Sequence, residues 1–177
     1  MAGQRLTDKT ALEEQAGSGD LLMLVDVNDT TGSSAGTSKK TDFKYVIQTD
    51  KFSLSNADVL NLDTAPKTII GALSGYITTI YNVTVLCTYA AATEVSSNNL
   101  NFGYVDTNDN AYWCQIRDCM NLKTTDLTYQ LSASPSSQGT CTETILNKPF
   151  KMWATGSGFS GGWSCDVYIT YAYTKII

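Results

Sequence analysis

The side chains able to do chemistry in this 177-residue sequence are chiefly carboxylates and thiols, because it contains no histidine. Without imidazole there is no Ser-His-Asp relay, no Cys-His nucleophile pair and no histidine metal ligand. Paired carboxylates could still act as acid and base, and Asp20, Asp26 and Asp29, or Asp106 and Asp109, are the candidates. Asp20 follows Gly17, Ser18 and Gly19, and Asp29 precedes Thr30, Thr31 and Gly32. In such stretches an aspartate bonds to nearby backbone, so both read as turn residues. Asp106, Thr107, Asn108, Asp109 and Asn110 cluster the oxygens a hard cation wants. They lack the glycine and the closing glutamate of an EF-hand loop, and read as a hairpin connection. No catalytic residue, cofactor or metal is expected.

The five cysteines, Cys87, Cys114, Cys119, Cys141 and Cys165, are odd in number and include no Cys-x-x-Cys pair. Cys87 and Cys165 fall inside apolar–polar alternation, where a free cysteine serves as a small core residue and a disulfide is not required. Residues 156–162 are glycine-rich but lack the Gly-Lys-Ser/Thr ending of a phosphate cradle, which leaves a flexible or tight strand connection. Asn82, Val83 and Thr84 match the glycosylation triplet, yet sit within a strand pattern and follow no secretory signal. Tyr104, Tyr112, Trp113, Trp153, Phe159 and Trp163 could stack on sugar rings, although alternation should turn half of them inward. Tyr112, Trp113 and Trp153 are the candidate contacts for host-surface glycans or a partner.

The elements that must carry these residues are strands. Charged residues make up 16%, well under the roughly 25% usual in soluble domains, and Thr, Ser, Asn, Gly and Tyr take their place. Thr and Tyr suit a pleated surface, whereas helices favour Ala, Leu, Glu and Lys. A net charge of −5, with no basic cluster beyond Lys39 and Lys40, gives no footprint for nucleic acid. No stretch approaches the roughly 20 apolar residues of a membrane span, and Met1 to Asp8 lacks the apolar core of a signal peptide. A soluble protein made in a cytosol is expected, with no membrane partner.

Alternation through Val83, Val85, Cys87 and Tyr89 predicts a strand over 77–89, and 163–173 alternates likewise. Further strands are expected over 100–105, 112–117, 127–131 and 150–154, separated by turn-rich segments. The reading is an all-β chain: an antiparallel, jelly-roll-like β-sandwich of seven or eight strands over 49–177, its longest strands pairing centrally. Residues 1–48 read as a small attachment segment with one strand over 21–27, a loop over 28–38, and a helical turn capped by Thr41 or Asp42 through Phe43, Tyr45, Val46 and Ile47. A terminus at Ile177 directly after a strand is expected to be held in a sheet.

Leu6, Thr7, Asp8, Ala11, Leu12, residues 19–31 and residues 35–40 resemble a module that heads tailed-phage fibre and virion proteins. Residues 58–70, then a long Thr/Val strand, Leu100 to Tyr104 and Asp166 to Tyr171 are similar to a second recurrent phage pattern. The resemblance implies a non-enzymatic short fibre of a tailed bacteriophage. Its segment 1–48 would dock on the virion, and its β-sandwich head would close a symmetric homo-oligomer, often a trimer. The chain has no long repetitive shaft, which favours a capsid head fibre or decoration protein over a tail fibre. The alternative is a tail-fibre or carbohydrate-binding receptor module using exposed aromatics. The implied location is the virion, assembled in the host cytoplasm beside other capsid or tail proteins.

A segment this short cannot bury enough apolar surface to fold alone. The excised fragment 1–48 is therefore expected to be unfolded, and a well-dispersed NMR spectrum from it would contradict that expectation.

Overall fold

The computed structural model describes residues 21–32, 34, 36–42, 46–104, 112–132 and 145–176. The chain divides into two compact units, Met1–Val46 and Ile47–Ile177. In the first, β1 (Leu21–Asp26) pairs antiparallel with β2 (Thr37–Asp42), from Leu21 opposite Asp42 to Asp26 opposite Thr37. The connecting turn is held by its own aspartates: the Asp26 carboxylate accepts from Asn28 N–H and that of Asp29 from Thr31 N–H, each at 3.1 Å. Lys39 Nζ lies 2.7 Å from Asp29 and 3.2 Å from Asp26, and this lysine first, then Thr31, pulls the Asp29 carboxyl down to about 2.

The expected strand over 21–27 is present; the helical turn expected after Thr41 or Asp42 runs through residues 43–45, which lie outside the described residues. Thr41 and Asp42 themselves belong to β2, opposite Leu22 and Leu21. Of the apolar residues assigned to that turn, Phe43 and Tyr45 lie outside the described residues, and Ile47 is exposed.

The second unit carries β3 (Gln48–Leu54), the short helix α1 (Asn56–Leu60), β4 (Lys67–Ile70), β5 (Tyr76–Ala91), β6 (Asn99–Gly103), β7 (Tyr112–Ile116), β8 (Leu127–Leu131), β9 (Phe150–Thr155) and β10 (Gly162–Lys175). All six strands expected here are present; β3, β4 and α1 are additional. Ser55 and Asp58 start α1 with a reciprocal capping box, and the helix buries Val59.

The eight strands form two four-stranded antiparallel sheets, ordered β3-β10-β5-β8 and β4-β9-β6-β7. β6 and β7 are the sequence-adjacent strands that pair; outward from them β5 meets β8, β4 meets β9 and β3 meets β10. That is one long hairpin rolled across two layers, with β5–β10 and β6–β9 pairing where the roll closes. This strand order is an eight-stranded jelly roll, as the alternation implied. The longest strands, β5 and β10, are central as expected.

The core lies between the sheets. Val83, Val85 and Cys87 on β5 sit opposite Ile169, Val167 and Cys165 on β10. All six are buried, and they meet Leu100 and Phe102 of β6 and Phe150, Met152 and Ala154 of β9. One backbone approach is closest. A Cβ on Gly162 would fall 1.8 Å from the Ala91 carbonyl oxygen, in the strand pair itself. No rotamer relieves a clash with backbone, so Gly162→Ala is expected to lower the stability of the protein by about 3 kcal/mol in urea denaturation. An unchanged midpoint and slope would contradict this packing.

Candidate functional site

Four loops of the second unit are tied together where β5 ends and β10 begins. They connect β3 to β4, β5 to β6, β7 to β8 and β9 to β10. Glu94, in the β5–β6 loop, is fully buried, and its carboxylate has four donors. Ser96 N–H (2.9 Å) and the Ser160 hydroxyl (3.1 Å) reach Oε1, while Ser160 N–H (2.7 Å) and Gly161 N–H (3.0 Å) reach Oε2. Burial pushes this acid up, but the donors outweigh it and hold the group below its ordinary value. A buried charge is tolerable only when it is paired or hydrogen-bonded in this way.

Asn98 performs the neutral version of the same task. It donates to the Gly158 carbonyl, accepts from Ser157 N–H at 2.9 Å, and its own carbonyl accepts from Cys119 N–H at 2.9 Å. Asn56 adds the β3–β4 connection by donating to the Gly161 and Trp163 carbonyls at 2.9 and 3.0 Å. The β7–β8 turn joins through Leu122 N–H, which donates to the Glu94 carbonyl at 2.8 Å. Residues 156–162 therefore form a tight connection, folded around a carboxylate and an amide. Gly156 and Gly158 adopt left-handed φ angles of 111° and 83° there.

This end of the sandwich also concentrates strained backbone. Ala92, Asp118, Met120 and Leu122 all have positive φ, a region costly for residues with a Cβ. Met120 is buried, whereas Leu122 is 70% exposed beside Val95 at 71%. The arrangement fixes loops and presents two aliphatic side chains on rigid backbone. Among the described residues, no group of three or more His, Cys, Asp or Glu is placed to hold a metal ion.

A second cluster lies inside the core. Cys87 and Cys165 are directly opposed, with their Sγ atoms 3.3 Å apart, and Cys119 from the β7–β8 turn joins them. Thiol donation from Cys119 and Cys165 makes Cys87 the member that ionises first; contact with Cys87 together with burial holds the other two protonated.

Among the aromatic candidates whose side chains are described, most pack into or against the core. Trp153 is only 2% exposed, so no ring face is open for stacking in this chain, and the reading of it as a surface contact is corrected. It alternates with the core residues Met152 and Ala154 and stands opposite the buried Asn101, on the other face of its sheet. Trp113 is half-buried and packs edge-on against Phe150, with ring centroids 5.9 Å apart. Tyr112 is placed in β7 by its backbone. Phe159 and Trp163 belong to the core, and Tyr104 packs against it with its hydroxyl bonded to the Thr78 carbonyl. Asp106, Asp109 and Asp20 lie outside the described residues.

Sequence reasoning missed Glu94. Its signal was indirect: a glycine-rich loop offers unpaired N–H groups that suit an anion, but the acid that fills it is 66 residues away.

No family model and no curated protein matches the chain. Among solved structures, a chain of the cyanophage Pam1 capsid is similar at 11% identity and a TM-score of 0.37, covering 97% of each chain. A chain of the Israeli acute paralysis virus particle is similar at 12% identity and a TM-score of 0.32, with 96% of each covered. One from the Kashmir bee virus virion reaches 8% and 0.30, again with 96% of each covered. The jelly-roll assignment rests on the chain's own strand order.

Replacing Glu94 by Gln puts an NH2 group against N–H donors. Glu94→Gln is expected to lower stability by about 3 kcal/mol near neutral pH. Because the folded carboxyl lies below its ordinary value, its contribution is complete above about pH 4.3 and fades as pH falls through the folded value. The gap between wild type and Glu94→Gln in urea titrations should therefore narrow on acidification, and a constant gap would refute this role.

Proposed function

We propose that this protein is a non-enzymatic structural component of a virion: a short symmetric appendage, trimeric, of the capsid head-fibre or decoration type. The observation that carries the reading is the eight-stranded jelly roll of the second unit. Among the described residues, the fully buried carboxylate, that of Glu94, is consumed in tying loops together. Jelly rolls recur in viral capsid and lectin domains, which fits this reading without compelling it.

Assignment of docking to residues 1–48 is supported by the two-stranded sheet of β1 and β2. A lone two-stranded sheet is marginal in water, and β1 brings the apolar run Leu21, Leu22, Met23, Leu24 and Val25 to such a sheet. Cover from another virion protein, in the capsid or the tail, satisfies that need. Trimer closure is supported by the edges of the head. β3 and β8 bound one sheet and β4 and β7 the other, and symmetric association is a common way to protect such edges. In this reading the protein acts at the virion, after assembly in the host cytoplasm, and uses no cofactor.

Light scattering on the full-length protein across a dilution series tests the proposal. Three chain masses at every concentration is the expected result. A monomer throughout would remove the self-associating fibre, leaving at most a decoration protein held by the capsid.

A further inference from the structure

The contact between Cys87 and Cys165 has the geometry of a bond that can close. The two residues are directly opposed on the central strands β5 and β10. Opposed residues of an antiparallel pair have Cα atoms about 4.5–5.5 Å apart. A disulfide spans about 4.4–6.8 Å between Cα atoms. Their Sγ atoms already touch at 3.3 Å, against about 2.05 Å in the bond, a difference that side-chain torsions can supply. Both side chains lie on the core face, at 1% and 4% exposure, where no water competes for the sulfurs.

We propose that Cys87 and Cys165 are a disulfide site, closed when the folding chain meets a disulfide oxidant such as glutathione disulfide, while Cys119 stays a thiol. Burial decides when the reaction occurs. A tripeptide oxidant cannot enter the finished core, so exchange takes place before β10 docks fully on β5, or when the pair opens. The Cys87 thiolate attacks one sulfur of glutathione disulfide, forming a mixed disulfide and releasing a glutathione thiolate that takes up the proton. The Cys165 thiolate then attacks the Cys87 sulfur and expels the second glutathione. Two protein thiols are oxidised and one glutathione disulfide is reduced to two glutathiones.

Cys119 also touches Cys87, but it comes from a turn, with its N–H tied to the Asn98 carbonyl at 2.9 Å. No strand register sets its Cα opposite that of Cys87. The proposed bond would join residues 78 apart in sequence, in the strand pair at the centre of the sheet. It thereby restricts the unfolded chain over a long loop.

The test uses the full-length protein, unfolded under reduction and refolded in glutathione buffers of graded ratio. The folded fraction is isolated by size exclusion, its free thiols are blocked, and intact mass, peptide linkage and melting temperature are measured. The expected result is a loss of about 2 Da, a linked peptide pair containing Cys87 and Cys165, and a melting temperature about 5 °C or more above that of the reduced protein. The same link should form in Cys119→Ala. Retention of all thiols in the most oxidising buffer overturns the proposal, as does a bond from Cys87 to Cys119 or an oxidised form that melts no higher than the reduced one.

Discussion

The pairing of β5 with β10 is the interaction on which the rest of the head depends. It runs from Gly162 opposite Ala91 to Lys175 opposite Tyr76, between strands that are far apart in the chain. β3 adds to the outer edge of β10 and β8 to the outer edge of β5, so one sheet is built on this pair. Its register places Val83, Val85 and Cys87 on the same face as Ile169, Val167 and Cys165, and a slip by one residue would turn each set to the other side. Such a pair closes a long loop before it gains its contacts, which makes this a fold of non-local formation. The register shifts along this pair from Thr170 opposite Asn82 to Tyr171 opposite Ile80, so that Tyr81 is the extra residue of a bulge in β5.

The low charge of the sequence is intelligible from the outer face of the same sheet. Thr49 meets Thr170 at 2.9 Å, and Thr79 meets Thr174 at 2.7 Å, as hydroxyl pairs across strands. The main ionic pair on that face is Lys51 with Asp166 at 2.9 Å, and Ser53 donates to the same carboxylate at 2.6 Å. Hydroxyl ladders suit β-branched residues and satisfy the side chains without salt-dependent charge pairs. Four carboxylates among the described residues are absorbed in the same manner. Asp26 and Asp29 hold a turn, Asp58 caps α1 and binds Lys67 at 2.5 Å, and Glu94 holds the loop end.

What the sequence disclosed follows the range of the forces involved. Period-two alternation is local, and β5 and β10 were legible because each has one buried face over many residues. β4 is four residues long, too short to show a period, and β3 carries Asp50 and Lys51 in the middle of its run. The helix α1 left a readable sign, Ser55 three residues before Asp58, that a strand-rich context obscured. Trp153 misled because alternation says which face a ring takes, not whether that face is covered. Glu94 and Asn98 were illegible because their donors and acceptors come from a loop some 60 residues away.

The two units differ in what their described residues bury and pair. The head encloses a continuous apolar core between two sheets and finds partners for a buried carboxylate at its loop end. The first unit offers an apolar strand in a sheet of two, with its best-defined polar contacts confined to one turn. Backbone ordering costs about 1–2 kcal/mol per residue, and so small a sheet recovers little of it by burial.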